Sequence, residues 1–177
     1  MGMSITVGHE PQTPAEARAW IIERFGPYCY HGSAATAEQT AAWLAEGLVP
    51  QNGASFVWLG SRSVAGDYAR ERCQGRPSRR PLVFQVDLRL LDPELLRVDE
   101  QLGHYDHYAA LETANPFDPA LDEDEEDWRY RIYDLVSEAI EADPDFHSPV
   151  NIWRSYSLTG NLAFAGPVPA AALTLAD

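Results

Sequence analysis

Lysine is absent, so all thirteen basic residues of the 177-residue chain are arginines. This absence reads as the codon bias of a GC-rich genome rather than as a functional signal. Cysteine is scarce too. Cys29 and Cys73 are the only two, and with no secretory signal in view they read as reduced thiols, which excludes a disulfide framework. The opening MGMSITVGHEPQTP has no basic segment followed by an apolar one, so the expected address is cytoplasmic. Long apolar runs are missing as well, each being broken by Gly, Pro or charge far short of the roughly 20 residues a membrane helix needs. Internal repeats and linker-like stretches are also lacking, and 177 residues suit one domain spanning 1–177.

What is present has an ordinary globular balance, 45% apolar and 23% charged residues. The formal net charge is −14. Six acids form one run, Asp122 to Asp127, but the rest of the chain is acidic without it. Such a surface repels phosphate backbones at long range and disfavours a general nucleic-acid binder. Against that background Arg70, Arg72, Arg76, Arg79 and Arg80 lie close together. A solvated loop is the plain reading of this cluster, although guanidinium forks suit diphosphates.

Along the chain, Pro14 to Phe25 reads as an amphipathic helix, with Thr13 as its cap and Pro14 at the first helical position. Tyr28-Cys29-Tyr30 is a β-prone run expected to stop at His31-Gly32-Ser33. Thr36 caps a helix over Ala37 to Glu46, which Gly47 ends. Phe56 to Leu59 reads as a buried strand, followed by a helix from about Val64 to Arg72 and a loop over Gln74 to Pro81. Leu82 to Leu90 is the strongest strand signal, ended by Asp92-Pro93. The stretch from Gln101 to Leu121 is weakly patterned and reads as loop with room for one helical piece. Asp127 to Ala142 is a helix with acids at its N-terminus, where the helix dipole favours them. A strand is expected around Asn161 to Phe164, then a Gly166-Pro167 turn and a closing strand or short helix.

Tyr30-His31-Gly32-Ser33, followed by a short helix ending in glycine, resembles the opening motif of the ADP-ribosyltransferase superfamily. The similar branch is the one of poly(ADP-ribose) polymerases and tRNA 2′-phosphotransferases. Val57-Trp58-Leu59-Gly60-Ser61 and Ala65-Gly66-Asp67-Tyr68-Ala69 are similar to its aromatic strand and to its helix bearing a small-x-x-Tyr-Ala pattern. Gly160-Asn161-Leu162-Ala163-Phe164, with Val168-Pro169 after it, is placed like the penultimate core strand and its turn. The resemblance implies an α+β, ADP-ribosyltransferase-like fold with a split, mixed β-sheet core and flanking helices. It also implies NAD as substrate, and a protein or small-molecule acceptor for ADP-ribose.

In that family the glycine matching Gly32 brings backbone N–H and C=O close to the flat nicotinamide carboxamide, where a side chain would block the approach. The resemblance further implies that His31 bonds the nicotinamide ribose, Tyr68 stacks on the ring, Ala65 contacts the amide and Trp58 lines the wall. Tyr30, Ser33, Ser61 and Asn161 join the NAD-binding set. Active relatives carry a Glu just before the penultimate strand; here Thr159 or Gly160 stands there, so Thr159 takes that position in the expected site with His31 and Tyr68. Asp67, Glu138 and Glu141 are the acids that could reach in instead. Without one, the chain would be a catalytically weak module that binds NAD, ADP-ribose or a protein. An RNA 2′-phosphotransferase is a third reading, held open by the arginine cluster. His104 and His107, with Asp106 between them, lack a third ligand pair at any metal-site spacing, so no metal is expected. His9 and His147 carry no pattern.

Overall fold

The structure is a computed structural model and describes residues 10–50, 54–118 and 124–176. His9, residues 51–53 and the start of the acidic run lie outside the described residues.

Local chemistry accounts for the first helices. Helix α1 (Pro14–Phe25) starts where the Thr13 hydroxyl accepts the Glu16 N–H, and Pro14 occupies the first turn at no hydrogen-bonding cost. Strand β1 (Tyr28–Ala35) follows. Helix α2 (Ala37–Glu46) opens with a reciprocal capping box between Thr36 and Gln39 and closes at Gly47, whose φ of 96° suits glycine. Strand β2 (Val57–Gly60) leads to α3 (Arg62–Cys73), capped by Ser61, and then to β3 (Arg80–Asp87). After two short 3-10 turns come β4 (Leu96–Val98), α4 (Gln101–Ala114), α5 (Glu125–Ala142) and α6 (Pro149–Thr159). Strand β5 (Asn161–Phe164), a further 3-10 turn and β6 (Leu173–Leu175) complete the order.

The fold is α+β: one open six-stranded sheet in the order β4-β5-β2-β1-β3-β6, with flanking helices. Each pairing among the described residues is antiparallel, which corrects the expected mixed sheet. Helix α2 turns the chain back to lie beside β1, and α3 carries it across β1 to β3, so strands of the same direction are never neighbours. The pairing is uneven along the sheet. β1 pairs with β3 over its full length, whereas β1 and β2 share the single partner pair Tyr30↔Gly60. Two well-laddered halves therefore meet at one residue pair and open beyond it.

The core gathers Ile21, Cys29, Leu59, Phe84, Val86, Leu96, Leu162 and Phe164, all nearly or fully buried, from both halves of the sheet and from α1. α3 packs across β1 and β3; α1 pairs with α6, and α6 lies against β4 and β5. Among the described residues no helix is long and apolar enough to cross a membrane.

Several expected boundaries move. β1 does not stop at Gly32 but runs on to Ala35, because β3 supplies a continuous partner as far as Arg80. β3 ends at Asp87 rather than Leu90, since the Asp87 carboxylate accepts the Arg89 N–H and turns the chain. The helical piece allowed for in the stretch from Gln101 is the 14-residue helix α4, whose N-cap residue Glu100 makes no side-chain bond and which packs against α5 and α6. Helix α6 was not anticipated, although Ser148 caps it and Pro149 opens it. Both cysteines are free thiols; Cys29 is buried, which pushes its thiol well above the ordinary range.

Candidate functional site

The opening between the sheet halves starts where the β1–β2 ladder stops. In an antiparallel pair, opposed residues alternate between exchanging hydrogen bonds and pointing their backbone groups away. The Leu88 N–H donates to the Pro27 C=O at 2.9 Å, and the partners Cys29↔Val86 and His31↔Phe84 follow in the same phase. Gly32↔Val83 is therefore a non-exchanging pair. The other edge of β3 agrees, because the Val83 C=O accepts from the Ala176 N–H at 2.9 Å. It follows that the N–H and C=O of Gly32 face β2, past the end of the ladder. They offer the gap one donor and one acceptor side by side.

The β2 group that would have met them is already engaged. His31 Nδ1 lies 2.8 Å from the Trp58 C=O. A carbonyl can only accept, so Nδ1 carries the proton. Burial holds the imidazole below its ordinary value of 6.5, opposed by the Trp58 bond, so the ring is neutral at pH 7. A neutral ring protonated at Nδ1 has a bare Nε2, an acceptor.

Gly32 is also where the sheet meets α3. A Cβ built there would overlap the Ala65 carbonyl, so glycine is required for α3 to cross β1 at this height whatever the gap binds. The close crossing brings Tyr68, one turn further along α3, to the rim. Tyr68 is 43% exposed and Trp58 37%, large exposures for rings beside buried strands.

These groups line one cavity of about 590 Å³, which contains Tyr30, His31, Gly32, Trp58, Ala65, Tyr68 and Asn161. Seven of the ten expected site residues are thus brought together from β1, β2, α3 and β5. Ser33 lines an adjoining depression of about 250 Å³ that shares His31, Gly32, Trp58 and Tyr68. Ser61 instead caps α3, its hydroxyl accepting the Val64 N–H at 3.4 Å. Thr159 ends α6 and lines an adjoining depression with His104, Tyr105, Tyr108 and Tyr133, which shares Gln101 and Asn161 with the cavity. Its hydroxyl donates to the Ser155 C=O at 2.6 Å and accepts the Asn161 N–H at 3.1 Å.

The acids lining the 590 Å³ cavity are Asp99 and Glu100, from the β4–α4 junction. Asp67, Glu138 and Glu141 do not line it, and Asp67 is paired with Arg70. Asp99 is only 6% exposed. Its N–H donates to Ser155 Oγ at 3.0 Å, and the Ser155 hydroxyl donates to the Asn161 C=O at 2.8 Å, tying the acid to β5. One carboxylate oxygen accepts the Gln101 N–H at 2.8 Å. Burial pushes the carboxyl up to about 6; the Gln101 N–H opposes the rise and Glu100 adds to it. Nothing in Arg97-Val98-Asp99-Glu100 marks this acid in the sequence, because only the β4-β5-β2 order carries it to the gap.

Of the histidines set aside in the sequence, His104 packs against Tyr133 at 5.0 Å between ring centroids. Asp106 pairs with Arg154 at 2.7 Å. The His147 ring accepts the Val98 N–H at 3.2 Å, which pins β4. No family model, curated protein or solved structure matches the chain.

Proposed function

We propose that the chain is an ADP-ribosyltransferase-like enzyme that cleaves the nicotinamide glycosidic bond of NAD and passes ADP-ribose to a protein or small-molecule acceptor. The observation that carries this reading is the unladdered donor and acceptor of Gly32, set in a gap beside a bare His31 Nε2 and the exposed ring of Tyr68. A primary carboxamide is the complementary group, since its C=O takes the Gly32 N–H and its NH₂ gives to the Gly32 C=O. An aromatic face such as that of Tyr68 holds a flat heterocycle with about 0.5–1.5 kcal/mol beyond its burial. A ribose hydroxyl can donate to His31 Nε2.

In the reaction the bond from ribose C1′ to the nicotinamide nitrogen breaks, and its electron pair neutralises the ring. Nicotinamide leaves, and positive charge develops on the sugar. Asp99 is the buried carboxylate lining the cavity, Glu100 beside it being exposed. With its carboxyl near 6 it is roughly nine-tenths ionised at pH 7. It both opposes the developing charge and accepts the proton that the acceptor's nucleophile releases on bonding to C1′. This role replaces the one expected at Thr159, whose hydroxyl is committed to the end of α6.

The same commitment of Thr159 favours a second reading, a module that holds NAD or ADP-ribose with little turnover. Incubation of the pure protein with NAD, with nicotinamide release followed over time and a cell lysate supplied as acceptor, separates the two. The enzyme reading requires nicotinamide release that Asp99→Asn abolishes. Binding of NAD with no release in the presence of lysate would sustain the module reading.

A further inference from the structure

The arginine cluster is resolved by the fold into a built depression. Arg72 ends α3, while Arg76 and Arg79 sit on the turn into β3. Together with Ser33, Gln39 and Trp43 they line a depression of about 400 Å³ that contains no carboxylate. In a chain of net charge −14 this is an unusual neighbourhood. Four arginines elsewhere are ion-paired: Arg70 to Asp67, Arg89 to Asp87, Arg129 to Glu125 and Arg154 to Asp106. Arg72 rests over the Tyr68 ring at 5.5 Å, and Arg79 Nη1 donates to the Ala34 C=O at 3.3 Å. Neither has a carboxylate partner among the described residues, nor has Arg76.

Three guanidinium groups in one depression repel one another until an anion enters. The neutral groups around them are suitable donors. Gln39 Oε1 accepts the Thr36 N–H at 3.1 Å, which leaves its NH₂ free to donate. Gln39 also lies in the first turn of α2, whose positive end adds to the field. Planar forks of this kind match tetrahedral oxyanions with more than one hydrogen bond each.

We infer that the Arg72–Arg76–Arg79 depression is a binding site for a phosphate or diphosphate group. Arg72 also lines the 250 Å³ depression with His31, Gly32 and Tyr68, so a bound phosphate lies beside the proposed nicotinamide seat. Two sources share this chemistry, the diphosphate bridge of a dinucleotide and a free phosphoanion. The first rests on the NAD reading; the second does not.

Binding of inorganic pyrophosphate, nicotinamide, ADP-ribose and NAD is measured by calorimetry on the wild type, on Arg76→Gln and on the Arg76→Gln/Arg79→Gln pair. Arg76 is exposed, so its single variant remains a folded control should the pair unfold. Pyrophosphate is expected to bind the wild type, more weakly as salt rises, to lose about tenfold in Arg76→Gln and to fail in the pair, while nicotinamide binding is unchanged. A parallel loss of ADP-ribose and NAD affinity assigns the site to the diphosphate bridge. Unchanged NAD affinity with pyrophosphate lost assigns it to a free phosphoanion. If nicotinamide does not bind but pyrophosphate does, the NAD reading fails and the anion site stands. Pyrophosphate that does not bind the wild type, or that binds Arg76→Gln equally well, overturns the inference.

Discussion

Replacing Asp99 with asparagine removes a charge that the fold holds against its own stability. The carboxyl titrates near 6 in the native chain, against an ordinary value of 3.8. Below pH 3.8 both native and unfolded chains carry the proton, and the residue has no effect. Between 3.8 and 6 the native chain keeps a proton that the unfolded chain releases, so stability falls as pH rises; above 6 the loss is complete. A displacement of that size corresponds to at most about 3 kcal/mol. Asparagine has nearly the same shape, and its Oδ1 can accept the Gln101 N–H that the carboxylate now accepts, so the α4 terminus keeps its bond. Asp99→Asn is therefore expected to raise the melting temperature at pH 7.5 by up to roughly 6–12 °C for a chain of this length, and to leave it nearly unchanged at pH 4. Thermal melts of both proteins at the two pH values, followed by circular dichroism, give the comparison. An equal gain at both pH values, or none at pH 7.5, would refute the claim that a buried charge is the cause. A group that is costly when ionised and lines the central cavity has the profile of a residue retained for function.

Tyr68→Ala should cost clearly less stability than a core aromatic, because the ring is 43% exposed, yet it should abolish nicotinamide and NAD binding. Phe84→Ala, at a fully buried position, should cost about 3–5 kcal/mol and serves as the core control in the same denaturant series. Nitrogen NMR of His31 should show a neutral ring protonated at Nδ1 above pH 6.5, with its transition below that value; a ring protonated at Nε2 would contradict the acceptor assigned to the cavity.

The parts of the fold governed by nearby residues were legible in the sequence. Thr13-Pro14, Thr36 with Gln39, and Gly47 bracket α1 and α2, and each signal acts within one helical turn. Helix α4 was only faintly legible because its buried positions are only Leu102 and Gly103 and its N-cap residue Glu100 makes no side-chain bond; its packing comes from α5 and α6, far off in sequence. Helix α6 did carry a local signal in Ser148-Pro149. At the site, the β1, β2 and α3 residues could be grouped from sequence because their order resembles a family motif. That pattern did not give the reason for Gly32, which the Ala65 carbonyl requires independently of any ligand. Nor could it give Asp99, whose approach depends on a three-residue strand pairing at the sheet edge, or the removal of Thr159 to the neighbouring depression.

On the proposed function, the Gly32 gap holds a carboxamide-bearing aromatic ring between His31 and Tyr68. Melting of the wild-type protein in millimolar nicotinamide tests it most directly, with nicotinic acid as the matched control, since a ligand selective for the native state raises the melting temperature. The two compounds share a ring, but the ionised carboxylate of nicotinic acid has no N–H to give the Gly32 C=O. A rise with nicotinamide that is absent with nicotinic acid and absent in Tyr68→Ala is the predicted result. Equal responses to the two compounds, or none to either, would contradict it.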